Sequence, residues 1–149
     1  MKSIEQWLSE YEESHTHPVN VLIHKVCVPS IMFSILGLLW LIPIGFYGLN
    51  FAHVFAASAM IFYAKLSLIL CLGILLEVAI MFACIWSIQQ AEFPLLGICL
   101  AIFFTGWVFQ FIGHKIEGKK PSFLQDIFFL LIGPLWTLHL LYKNIGIKI

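Results

Sequence analysis

The chain has 149 residues, of which 61% are hydrophobic and 11% charged, and its mean hydropathy of +0.98 lies far outside the range of a water-soluble domain this size. Eight lysines balance eight acids and there is no arginine, so the chain lacks the basic footprint of a DNA- or RNA-binding protein. These figures specify an integral membrane protein and exclude nucleic acid as a partner.

The first 25 residues are polar, and no basic stretch followed by a short apolar core marks a cleaved signal peptide. Within them Ile4, Trp7, Leu8 and Tyr11 recur at three- and four-residue spacing, which predicts an amphipathic helix lying on the membrane face. A first span runs from Val28 to Phe46, near the ~20 residues that cross ~30 Å of hydrocarbon, and Pro43, Gly45 and Gly48 end it. Residues 49–64 and 67–88 read as two helices broken between Tyr63 and Ser67. Residues 94–112 form a fourth span, GHKIEGKKPS a polar loop, and residues 123–142 a fifth. The predicted fold class is an all-α polytopic membrane bundle of one domain, with about five spans and an interfacial N-terminal segment. Cys27, Cys71, Cys84 and Cys99 sit in apolar runs without CxxC spacing and read as small buried hydrophobes.

Span parity bears on function. Five crossings put Lys2, Lys25, Lys65, Lys115, Lys119 and Lys120 on one side and Lys143 and Lys148 on the other, the asymmetry expected if the first side is cytoplasmic. Four crossings would scatter the lysines evenly. Five also return the chain to its starting face at GHKIEG, so the amino-terminal histidines and His114 can share one site. A bacterial inner membrane and the endoplasmic reticulum both suit this arrangement.

The segment SHTHPVNVLIH holds three of the six histidines. Pro18 can open a helix there, which sets Asn20 and His24 at i and i+4 on one face. Trp107, Gln110, His114 and Glu117 follow one another at spacings of three, four and three, a polar stripe running out of the lipid. Such groups cost a few kcal/mol apiece at membrane depth unless paired, so a bundle interior must receive them. Imidazole is the commonest ligand of Zn, Cu and Fe, and amides and carboxylates orient it. His15, His24 and His114 are the candidate metal ligands, His17 a weaker fourth, and Asn20, Gln110 and Glu117 the supporting groups. On spacing alone a metal site and a set of interfacial polar anchors both stay open. His53 and His139 read as lone anchors, Glu77 as structural and paired with Lys65 or a bundle amide. Trp40, Trp86, Trp107 and Trp136 fall near span ends, where aromatic belts belong. Lys119 and Lys120 are a cytoplasmic anchor that could also meet a fatty carboxylate.

Tyr11, His15, Asn20 and His24 ahead of Pro29, then WVFQFIGHKIEGKKP from Trp107 to Pro121, then Gly133-Pro134-Leu135, together resemble the 2-hydroxy fatty acid dioxygenase family of small membrane proteins. The resemblance covers about residues 7 to 142, and QFIGHKIEGKKP is its most specific part. It implies a multispan enzyme using Fe(2+) and dioxygen to convert a 2-hydroxy fatty acid into the acid one carbon shorter and carbon dioxide. It also implies iron ligation by His15, His24 and His114. That conversion releases four electrons, which one dioxygen takes up, so no external reductant is required. Glu117 or a neighbouring histidine would take the hydroxyl proton, and Lys119 or Lys120 would steer the carboxylate. The alternatives are a non-enzymatic scaffold or lipid-binding protein, or another histidine-metal enzyme that modifies lipids.

Overall fold

A computed structural model describes residues 2–45 and 48–147. Within them lie six α-helices: α1 (Ile4–Glu12), α2 (Pro18–Trp40), α3 (Phe51–Leu66), α4 (Leu68–Gln90), α5 (Leu95–Glu117) and α6 (Phe129–Ile145), with a 3-10 turn at Ser122–Leu124 before α6. Phe46, the expected end of the first span, and Lys148, counted in the charge asymmetry, lie outside the described residues.

Among the described residues three helices, α2, α4 and α5, are long and apolar enough to cross a membrane, each of 23 residues. At 16 and 17 residues, α3 and α6 extend roughly 24–26 Å at 1.5 Å per residue, short of the ~30 Å of hydrocarbon. The chain is therefore a helical membrane bundle whose two shorter helices pack beside three long ones. Helices α3 and α4 meet at Ser67, whose extended backbone (φ −159°, ψ 122°) ends one helix and caps the next. Helix α2 begins at Pro18, ten residues before the expected edge of the first span, so Asn20 and His24 belong to its opening turns.

The amphipathic stripe of α1 is buried within the protein rather than laid on lipid. Ser3 caps this helix in a reciprocal box with Gln6, and Ile4, Trp7, Leu8 and Tyr11 are all buried. Trp7 meets Phe129 edge-on at 5.2 Å, and Tyr11 meets Trp136 at the same distance. The sequence pattern specifies an apolar face, and α6 supplies the surface that covers it.

Helices α2 and α5 form the antiparallel pair that carries the site. Their contact runs on small residues: Gly37 faces Cys99, Gly106 faces Ile31, and Gly113 faces Asn20. Cys99, Gly106 and Gly113 recur every seven residues, which keeps them on one side of α5 over two turns at a time. Close backbone approach through small residues is a principal source of helix association in lipid, where hydrophobic burial between helices contributes little. That approach brings His24 and His114 together.

Candidate metal centre

His15 lies in the turn between α1 and α2, His24 on α2, and His114 in the last turn of α5. Their ring centroids stand 4.3 Å (His15–His24), 5.0 Å (His15–His114) and 4.9 Å (His24–His114) apart, with interplanar angles of 73–80°. One nitrogen from each ring lies within 4.8 Å of the others, and all three residues are buried. The 2.6 Å contact of His15 Nδ1 with the Tyr11 carbonyl requires a proton on that nitrogen, and the 3.0 Å contact of His24 Nδ1 with the Asn20 carbonyl does the same. Both rings therefore carry their lone pair on Nε2. The Nε2 of His15 and the Nδ1 of His114 are buried without a hydrogen-bond partner among the described residues. Orphaned ring nitrogens of that kind are expensive in a folded interior, and a cation is the partner that would satisfy several imidazole lone pairs at once. The donor set fits a borderline metal bound by neutral imidazoles.

Burial first, and the neighbouring His24 next, push the His15 imidazole down to about 3. The ring is neutral at physiological pH, as a metal ligand must be. The unfolded chain protonates near 6.5 and the folded chain only near 3, so the stability contributed by neutral His15 is present above about 6.5 and is lost as pH falls towards 3. The metal-free protein in detergent should accordingly melt at progressively lower temperature between pH 7 and pH 4. A His15→Gln variant should show a shallower dependence, and an equal slope in both would refute the assignment.

The site is braced from below and above. Tyr11 stacks on His15, with centroids 4.0 Å apart and planes within 6°, and Trp136 sits 5.1 Å from the same ring. Asn20, fully buried, donates from Nδ2 to the Ser14 carbonyl at 3.0 Å and to Glu117 at 3.1 Å. Beneath the rings opens a cavity of about 410 Å³ whose walls are almost wholly apolar. On α2 it is lined by His24, Val28, Ile31, Met32 and Ile35, a descent of eleven residues or roughly 16 Å. Gln110 and Trp107 line it from α5, and Phe55 and Tyr63 from α3. No lysine, arginine, aspartate or glutamate is among its lining residues.

The family whose model is described as "2-hydroxy-palmitic acid dioxygenase Mpo1-like" matches residues 1–145. The chain belongs to the Mpo1-like family. Its sequence is similar to the 2-hydroxy-palmitic acid dioxygenase MPO1 of Saccharomyces cerevisiae (strain ATCC 204508 / S288c), 31% identical over 121 residues that cover 80% of this chain and 68% of the yeast protein. No solved structure matches the chain.

Other residues singled out by the Mpo1-like sequence lie apart from the three rings. His17 is exposed and caps α2, its Nδ1 accepting from the Val19 amide at 3.2 Å. The carboxylate of Glu117 accepts from the backbone amides of Thr16 and His17, from the Thr16 hydroxyl and from Asn20, so it ties the end of α5 to the start of α2. It does not line the cavity. The Lys119 ammonium donates to the Glu13 carbonyl, and Lys120 is exposed; neither lines the cavity. Gln110 does line it, buried one helical turn from His114. Glu77 has no ion pair with Lys65 among the described residues; it lines a separate groove with Lys25 and Tyr142. His53 shares a capping box with Asn50 at the far end of the bundle, and His139 lies on α6 outside the cluster.

Four further residues contribute to the site without a strong sequence signal for their roles: Tyr11, Ser14, Ser122 and Gly113. Tyr11 belongs both to the apolar stripe and to the family motif, but neither assigns it a role; its i, i+4 relation to His15 is the cue to stacking. Ser14 and Ser122 meet at 2.6 Å across 108 residues, which no local pattern encodes. Gly113 admits Asn20, and the heptad of small residues on α5 was the cue to it.

Proposed function

We propose that this protein is an Fe(II)-dependent dioxygenase that converts a 2-hydroxy fatty acid and dioxygen into the fatty acid one carbon shorter, carbon dioxide and water. The observation that carries the reading is the buried triad of His15, His24 and His114 at the head of an apolar cavity, in a chain similar to a yeast protein named for this activity. His15, His24 and His114 would hold the ion. Bound there, ferrous iron supplies redox chemistry towards dioxygen and Lewis acidity towards a chelating hydroxyl and carboxylate.

The protein's own contribution is positioning and exclusion of water. The carbonyls of Tyr11 and Asn20 select the tautomers of His15 and His24 and hold the ring orientations. Glu117 and Asn20 lock the turn that delivers His15 against the first turn of α2. The Gln110 amide, on the cavity wall one turn from His114, holds the polar head of the substrate by hydrogen bonding, whereas neither Lys119 nor Lys120 lines the cavity. The apolar wall from Val28 to Ile35 takes the acyl chain and keeps bulk water from the reacting carbons. In this reading the triad faces the cytoplasmic side, together with the amino terminus and the lysine-bearing loops.

The test is anaerobic purification with metal analysis, then addition of dioxygen and 2-hydroxypalmitate with chromatography of the fatty acids formed. About one iron per chain and a fifteen-carbon acid are the expected results. A metal-free protein, or an iron-loaded one that leaves the substrate intact, would overturn the reading.

A further inference from the structure

The triad cavity is bounded on one side by a polar seam, and the exposed residues of its lining are apolar. On the polar side, a seam of hydrogen bonds joins the turn between α1 and α2 to the end of α5 and the 3-10 turn. Ser14 Oγ meets Ser122 Oγ at 2.6 Å, Glu117 gathers the amides of Thr16 and His17, and Lys119 closes on the Glu13 carbonyl. Behind that seam His15 is 4% exposed and His24 1%. Away from the seam, the lining residues that are themselves exposed are all apolar: Phe55 on α3, and Ile127, Phe128 and Leu130 where the chain enters α6. Phe128 stands between Phe62 of α3 at 5.8 Å and Trp7 of α1 at 6.3 Å. Its backbone amide is pinned by the Asp126 carboxylate at 2.9 Å, so the mouth is a built rim.

We propose that the cavity draws its substrate sideways from the bilayer, through this mouth between α3 and the start of α6, and that its occupant is a fatty acid already dissolved in a leaflet. This deepens the reading of the site as a fatty-acid enzyme and rests on it. An apolar rim in water would have to be desolvated at every encounter, whereas in lipid an acyl chain passes from one hydrocarbon surface to another with little change in solvation. The absence of any charged side chain from the lining points the same way, because a water-borne carboxylate would find no counter-charge along its route. A membrane-dissolved acid needs none: its tail leads into the apolar wall and its head arrives at the imidazoles last.

The test uses the full chain reconstituted in phosphatidylcholine vesicles, with a bromine-labelled 2-hydroxystearate as quencher of tryptophan fluorescence. Trp107 lines the cavity, so the saturable quenching that disappears in Trp107→Phe reports cavity occupancy without requiring turnover. Ile127→Cys places a thiol at the mouth, where the side chain is 64% exposed and its replacement leaves the core intact. Lys120→Cys places one beside the polar seam. Each is treated with a long-alkyl methanethiosulfonate, and wild type treated in the same way corrects for reaction at the exposed Cys84. The adduct at 127 should remove the Trp107-dependent quenching, and the adduct at 120 should leave it. Persistence with the 127 adduct, loss with the 120 adduct, or no Trp107-dependent quenching in unmodified protein overturns lateral entry. Normal quenching without turnover would overturn the dioxygenase reading alone.

Discussion

His24→Ala and His114→Ala are each expected to leave the protein without its metal and without turnover, while His17→Ala keeps both. Each of the first two removes one of three nitrogens that lie within 4.8 Å of one another. Losing an outer partner of a metal-bound histidine already lowers metal affinity about 10–100-fold, and a lost ligand in a three-histidine site exceeds that. The fold should survive, because the Asn20 carbonyl that His24→Ala releases lies within α2 and keeps its helical bond to the backbone amide of residue 24. His17 is equally close in sequence but faces outward and serves the helix start. Its replacement should cost about 1 kcal/mol of capping and nothing at the centre. Metal stoichiometry and product formation, measured on all three variants after a circular dichroism check, decide the matter. A full complement of metal in either of the first two would remove that residue from the ligand set.

Gly113→Ala carries the second large effect. A Cβ there would stand 2.3 Å from Asn20 Oδ1 and 3.5 Å from Ile23 Cδ1. Asn20 cannot turn aside, since its amide nitrogen is held by Ser14 and Glu117, so α5 must retreat from α2 beside His114. Overpacking of this kind costs about 1–3 kcal/mol, and here the displaced residues are the ones that hold the rings. Lower thermal stability in detergent and lower metal occupancy should appear together. Gly97→Ala, on the same helix with nothing within 4 Å of its Cβ, supplies the control; by helix propensity it should be neutral or stabilising by up to ~1 kcal/mol. Equal melting temperatures and equal metal content for the two variants would refute the close-packing argument.

Much of the bundle was legible because lipid selects on composition. Long apolar runs declared α2, α4 and α5, and the break between α3 and α4 fell at Ser67, within the segment where charge and hydroxyl groups interrupt the apolar run. The amphipathic face of α1 was legible for a different reason, its regular period, but period cannot say whether lipid or protein covers a face. Trp7 and Tyr11 pack against α6. Hydropathy places α3 at its true length of 16 residues but two residues early, because the Asn50 cap starts the helix at Phe51; it draws α6 too long, because apolar residues precede the point, after Asp126 has turned the chain, where the helix begins at Phe129.

What the sequence by itself determined is the chemistry available: a membrane bundle with no arginine and no net charge, three histidines with amide and acid neighbours at helical spacing, and a motif, QFIGHKIEGKKP, specific enough to point to a family. Those properties are local or additive, so a linear reading reaches them. Only the tertiary structure decided which polar groups converge. Helical spacing orients a side chain about its own axis and carries no information on what stands opposite. Thus Glu117 turned to the backbone at Thr16 and His17, Lys119 to Glu13, and His17 to its own helix. His15, separated from His114 by 99 residues of chain, came within 5.0 Å of it because small residues let α2 and α5 close.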